Sequence, residues 1–466
     1  MDYTQTTATE RDDMLAAIGV DSIDQLFSPI PPEYRFDGLL NLPTPASELT
    51  LQRDIARLAA TNRGGDLNAC FMGAGAYDHF VPVLIDQLIL RGEYLTAYTP
   101  YQAEASQGSL QAFFEFQTQI ARLTRLEVAN ASLYEGATAV AEAALLALGH
   151  TGKRRVVISG AVHPDSRRVL ATYLDEFPVE VITVAPCPQT GRTRPEDIRQ
   201  AMTPDTACVI VQSPNFYGIV EDWAGCFEVA HSEKKTLAVA VFNPIACGLL
   251  KAPGECGADI AVGEGQPLGI PLQYGGPYLG LFAATRDLQR KMPGRLVGET
   301  TDADGRRAFC LALQTREQHI RREKATSNIC TNQGLLALRA TMFLNTLGPQ
   351  GLAEMAEQCW HKAHYLAEQI CALDGFSLKF DARRGAANGS TPNFFHEFVV
   401  TCPRPAREVM RAAREAGYLL GPALDDRKFG DTPMGTDRDL LVAVTEKRTR
   451  DEIDGLIDVL KGIKGS

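Results

Sequence analysis

Between Lys251 and Lys291 the chain carries no lysine, although the segment has the makings of a reactive loop. It reads Ala258-Asp259-Ile260-Ala261-Val262-Gly263-Glu264-Gly265-Gln266-Pro267, then Tyr274-Gly275-Gly276-Pro277-Tyr278-Leu279-Gly280. A lysine on such a strand-to-turn junction could condense with a carbonyl to give an imine; Gln266 stands there instead, and its amide cannot. Gly136-Ala137-Thr138 precede an alanine-rich helix and could offer backbone N–H groups and a hydroxyl to a phosphate. Ordinary helix capping accounts for the same residues. His163 follows a strand at 156–159, and Asn243 follows a strand at 237–241. An asparagine at a strand end accepts a hydrogen bond but supplies no negative charge to hold a proton on a ring nitrogen. Tyr94, Tyr98 and Tyr101 crowd one stretch, with Thr99-Pro100 forcing a turn and Gln102, Ser106 and Gln107 following. Tyrosine joins apolar area to a hydroxyl, which suits an interface or a channel wall; a loop anchored by half-buried tyrosines is the plainer reading.

These positions need elements to hold them. From 67 to 330, apolar strand-like runs at 155–158, 179–184, 207–211, 236–241 and 280–283 alternate with helical segments at 164–176, 195–202 and 223–234. That alternation predicts an α/β domain with a mainly parallel, doubly covered sheet. Residues 331–466 open on helices at 333–347 and 351–373, broken at Gly348-Pro349, and continue into short strands and a last amphipathic helix. A smaller α+β C-terminal domain is expected. Residues 1–66 read as a helical arm with a proline-rich passage and little core of its own, an interface element.

A net charge of −11 argues against a general nucleic-acid binder. Arg316, Arg321, Arg322 and Lys324 form a local basic cluster, for which a solvated face or an interdomain pairing is the simpler account. Eleven cysteines without a CxxC pair suggest small core residues in a reducing compartment. With no basic-then-apolar leader and no long apolar run, the expected location is cytoplasmic, away from membranes. P-loop, G-x-S-x-G and H-E-x-x-H patterns are absent, and Gly263-Glu264-Gly265 is too short for a dinucleotide fingerprint.

Longer motifs carry a resemblance. Phe71-Met72-Gly73-Ala74-Gly75-Ala76-Tyr77-Asp78-His79, Tyr98-Thr99-Pro100-Tyr101-Gln102 with Ser106-Gln107-Gly108, and 263–269 are three of them. The others are the run 322–333 and Val444-Thr445-Glu446-Lys447-Arg448-Thr449. Together they resemble the glycine decarboxylase P-protein of the glycine cleavage system, in particular subunit 1 (alpha) of its split, two-chain form, over essentially the whole chain. The resemblance implies the type I pyridoxal-phosphate-dependent transferase fold. It also implies a separate subunit 2 (beta) that bears the cofactor lysine, in an alpha–beta pair doubled about a two-fold axis. Such a complex is a glycine dehydrogenase (decarboxylating): glycine is decarboxylated and its aminomethyl group passes to the lipoyl arm of H-protein. On this reading pyridoxal 5'-phosphate sits on the partner, and this chain completes the active site and the channel. Tyr98, Tyr101, Gln102, Ser106 and Gln107 are the candidates for the shared wall. Gly136, Thr138, His163, Asn243 and Gln266 match cofactor-pocket positions and are expected to line a vestigial pocket. A purely structural and docking partner without active-site residues is the alternative. A self-sufficient enzyme using Lys251 would require the sheet to be misread.

Overall fold

The computed structural model describes residues 6–36, 38–62, 69–95, 100–380, 393–425, 428–429 and 432–463. Seven strands make the main sheet: Val128–Ala129 (β1), Arg155–Ser159 (β2), Glu180–Val184 (β3), Thr206–Ser213 (β4), Leu237–Phe242 (β5), Ile260–Glu264 (β6) and Gly280–Ala284 (β7). Their order is β1-β7-β6-β5-β4-β2-β3. Strands β2 to β6 run parallel, and β7 is antiparallel to both neighbours.

Both faces are covered, which is why these strands read as unbroken apolar runs. Along β4, Val209 and Val211 join one core with Phe116 and Phe227, while Cys208 and Ile210 join another with Val140 and Ala144. The alternation is the pleat of the strand read as packing. One cover is the helix Gly136–Thr151, with ten buried residues, half of them alanine, so that its backbone comes close to the strands. It ends at Gly152, whose φ of 71° is the left-handed turn that glycine takes without strain. The opposite cover includes Gln107–Thr124 and Trp223–His231.

A second, smaller sheet pairs Ser377–Leu378 with Glu397–Thr401, and the latter with Asp439–Ala443, all antiparallel. Helices Ala406–Glu415 and Arg450–Lys461 bury Val409, Ala413, Ile453, Leu456, Ile457 and Leu460 in the same core. The helical line Gly334–Cys371 is two helices joined at Gly348, where φ is 64° and ψ 179° and Pro349 follows. Strand Ala69–Met72 pairs in parallel with Tyr418–Gly421. An early segment is thereby fastened beside the late strands, and the loop at 73–79 comes against Glu397. Residues 64–466 form one compact unit and residues 1–63 another. The latter contains Ala8–Ile18, capped by Thr7 and Glu10 in a reciprocal box, and Glu48–Ala59, capped by Ser47. Among the described residues no helix is long and apolar enough to cross a membrane.

Candidate functional site

At the C-terminal ends of β2, β4, β5 and β6 lies a cavity of about 290 Å³, the place where open α/β sheets hold ligands. Gly136, His163 and Asn243 line it, as do Glu135, Glu264, Pro267, His396 and Glu397. Most of the polar groups that would greet a phosphorylated ring are already engaged by the chain, His396 Nδ1 being an exception among the described residues.

At the helix that opens on Gly136, Glu264 accepts from Gly136 N at 2.9 Å, from Gln266 N at 2.9 Å and from Leu279 N at 3.0 Å. Glu135 accepts from Thr138 N at 2.9 Å and from the Thr138 hydroxyl. Two carboxylates thus occupy the positive end of the helix dipole, where a phosphate would sit. Burial pushes the Glu264 carboxyl up to about 7, against the pull of its three amide donors. Thr138 is buried behind the turn and does not line the cavity. Gly136 has no room for a side chain, since a Cβ there would lie 2.9 Å from Glu264 N.

Gln266 is 1% exposed and also off the cavity wall. Its Oε1 accepts from Tyr77 N at 2.9 Å, and its Nε2 donates to Tyr77 O at 3.0 Å and Ile270 O at 2.7 Å. The amide is a two-way clamp on the 73–79 loop. An ammonium has only donors and could not answer Tyr77 N. Gln266 is therefore built into the fold.

That loop closes the cavity from the other side. Ala74 and Gly75 have φ of 68° and 97°, and a Cβ on Gly75 would stand 3.1 Å from the His163 ring. His163 caps its helix by accepting from Asp165 N at 3.1 Å, and its Nε2 lies 3.0 Å from Ala74 O, which sets the Nε2–H tautomer. Phe216 meets the imidazole edge-on at 5.2 Å. Asn243 Oδ1 accepts from Ile245 N at 2.9 Å and Ala246 N at 3.4 Å, and Nδ2 faces His396 Nε2 at 3.4 Å. Burial holds His396 neutral, its pKa lowered to about 3. Glu397 takes Ala74 N at 2.6 Å and the Tyr77 hydroxyl at 2.9 Å, and burial pushes its carboxyl up to about 7. Among the described residues no lysine lines the cavity, and Lys251 is exposed beyond the turn after β5. Pyridoxal phosphate does not fit these residues: the anion seat holds glutamates, and the amide where a pyridine nitrogen would need a carboxylate is spent on a turn.

The tyrosine-rich stretch lies elsewhere. Tyr98 falls outside the described residues. Tyr101 is 56% exposed, and its hydroxyl accepts from Arg295 Nη2 at 2.7 Å while the guanidinium carbon stands 4.7 Å from its ring centroid. Gln102 is exposed and Ser106 is buried. Gln107 donates to Ala103 O at 2.8 Å and Phe309 O at 2.9 Å and accepts from Phe309 N at 2.8 Å. It behaves as an extra rung against the hairpin of Leu296–Thr301 and Arg307–Ala312. Beside Tyr101 opens a second cavity of about 510 Å³, with Arg295 and Pro277 in its wall. Tyr278 lines the first cavity, so the two are neighbours across one peptide.

The structure thus gathers Gly136, His163 and Asn243 at the first cavity, sets Thr138 and Gln266 behind it, and leaves Tyr101 at the edge of the second. Sequence reasoning missed Glu264, Glu397 and Arg295. The signal for Glu264 was present: a lone carboxylate between two glycines at the end of an otherwise apolar strand. Arg316, from the basic cluster, donates to the carbonyls of Met292, Leu313 and Gly294, so it is a structural tie.

A family model described as the glycine cleavage system P-protein matches residues 1–460. A protein of Thermomicrobium roseum described as probable glycine dehydrogenase (decarboxylating) subunit 1 is 49% identical over 462 residues, 99% of each chain. Its counterpart from Bacillus cereus is 47% identical over 467 residues, again 99% of each. Among solved structures, an inhibitor-bound glycine decarboxylase (P-protein) of the glycine cleavage system superposes with a TM-score of 0.87 at 41% identity, covering 99% of this chain and 100% of that one. A sphingosine-1-phosphate lyase of Burkholderia pseudomallei shares the fold alone, with a TM-score of 0.63 at 14% identity over 93% of this chain and 94% of its own. The expected type I pyridoxal-phosphate-dependent fold is the one observed, and the chain belongs to the glycine cleavage system P-protein family.

Proposed function

We propose that this chain is the non-cofactor subunit of a glycine dehydrogenase (decarboxylating). In this reading a second subunit carries pyridoxal phosphate on its own lysine and supplies the electron sink for decarboxylating glycine. The aminomethyl group then passes to the lipoyl arm of H-protein. The observation that carries the proposal is the 49% identity to a probable subunit 1 over 99% of both chains. The first cavity supports it, because its helix N-terminus, its imidazole and its strand-end amide are each committed within the chain.

What this chain would contribute is shape and polarity around a reaction centred on its partner. Tyr101 is the exposed, hydrogen-bonding candidate, fixed by Arg295 and able to present its ring and hydroxyl outward. Gln107 serves the fold first, so Gln107→Ala would confound assembly with turnover. Tyr101→Phe is the cleaner probe, and it should lower glycine decarboxylation by the assembled complex roughly tenfold or more if the hydroxyl meets the reacting groups. Unchanged turnover with assembly intact would favour a docking partner that supplies no active-site residue.

A further inference from the structure

Among the described residues three arginine side chains are deeply buried, and one differs from the others. Arg448 is 2% exposed and pairs with Asp78 at 2.9 Å and Glu452 at 3.3 Å. Arg339, 6% exposed, pairs with Asp86 at 2.5 Å. Arg295 is 3% exposed, yet among the described residues it has no carboxylate partner. It donates to the Tyr101 hydroxyl at 2.7 Å and to Cys330 O at 3.2 Å, both neutral acceptors, and both through Nη2. Its Nε has no acceptor; Arg448 shares that feature, so the missing carboxylate is what separates the two. A guanidinium keeps its charge at any ordinary pH, and a buried charge left without a counter-charge is costly.

Arg295 stands in the wall of the cavity of about 510 Å³. Just over half of the remaining wall is apolar, including Ala112, Phe113, Leu336, Leu338, Leu95, Pro100 and Pro277. Tyr94, Ser109, Thr331, Asn332 and Gln333 add polar groups, and Asn332 Nδ2 is already spent on Ala131 O at 2.8 Å. One buried cation in a mainly apolar chamber of this size matches the usual build of a small-molecule site, in which a few polar groups orient an apolar body. The planar fork of arginine suits a carboxylate better than any other common anion of low charge.

We propose that this cavity binds an organic acid, with its carboxylate on Arg295 and its hydrocarbon stem among Phe113, Leu336 and Leu338. The site is separate from the first cavity, whose own anion seat is filled by Glu135 and Glu264, and its lining comes from this chain. Its test therefore stands apart from that of the proposed function, which is read in turnover of a complex. Calorimetric titration of the full chain alone with octanoate should show saturable binding of one molecule per chain. Octan-1-ol, lacking the charge, and acetate, lacking the stem, should each bind roughly tenfold more weakly or worse. Arg295→Gln should weaken octanoate by a similar factor, and Arg295→Lys should recover part of the loss. Ser109→Phe, made from a half-buried helical position, crowds the chamber while leaving the guanidinium in place and should weaken octanoate roughly tenfold; it decides the matter if Arg295→Gln fails to fold. Absence of saturable octanoate binding to the wild-type chain would overturn the proposal. So would a folded Arg295→Gln or Ser109→Phe chain that binds octanoate as the wild type does.

Discussion

Two neighbouring cavities in one fold show opposite kinds of incompleteness. In the cavity at the strand ends, the described polar groups largely answer one another: Glu264 takes three amides, Gln266 clamps Tyr77 in both directions, and His163 is held at both ring nitrogens. Across the Pro277–Tyr278 peptide, the second cavity holds a guanidinium that has no carboxylate partner among the described residues, in a wall that is mostly apolar. In the first cavity the polar groups are largely answered by hydrogen bonds within the chain, and the unspent charge lies next door. That difference separates residues that keep the fold from residues available to something outside it.

The comparison breaks most readily at Gln266. Gln266→Leu preserves bulk but strands Tyr77 N, Tyr77 O and Ile270 O, and about 2–4 kcal/mol of unfolding free energy should be lost in denaturant titration. A loss under about 0.5 kcal/mol would mean that the clamp is incidental. Gln266→Lys should be as harmful, since an ammonium brings a third donor to a place that needs an acceptor. By contrast Tyr101→Phe should cost less, about 1–2 kcal/mol, because the residue is 56% exposed and Arg295 keeps its bond to Cys330 O when the hydroxyl is lost.

A pH series sharpens the contrast further. The Glu397 carboxyl is raised by burial from 4.5 to about 7, so between those values the folded chain keeps a proton that the unfolded chain has released. The contribution of this group to stability therefore falls as pH rises from 4.5 to about 7 and is flat above that. The full swing is about 3 kcal/mol at most. Glu397→Gln should flatten that part of the profile of unfolding free energy against pH; a slope that stays as in wild type would assign it to other buried carboxyls, such as Glu221 and Glu142.

Much of this architecture was legible in the residues. The runs at 155–158, 207–211 and 236–241 are apolar on both faces because both faces are covered, and that leaves a signature no surface strand has. Gly348-Pro349 marked the junction of two helices because proline cannot continue the first. The missing lysine was legible for the same reason, as an absence at a strand-to-turn junction. What could not be read was which groups would answer one another. Glu264 meets Gly136 across 128 residues of sequence, and Gln266 meets Tyr77 across 189. Periodicity reports the face on which a residue lies and is silent about long-range polar partners. Gln107 illustrates the cost: its motif suggested a channel wall, while its amide is a rung against Phe309. Arg295 gave no local signal at all, since only burial makes its missing counter-charge notable.

The central claim is that the strand-end cavity is closed to the cofactor by the residues of the chain itself. Pyridoxal phosphate added to the purified full-length chain, followed by borohydride and peptide mapping, tests it directly. The account predicts no imine absorbance and no lysine labelled in stoichiometric amount, with a partner subunit taking up the cofactor when both are present. A single lysine of this chain labelled in stoichiometric amount, with the matching imine band before reduction, would contradict it.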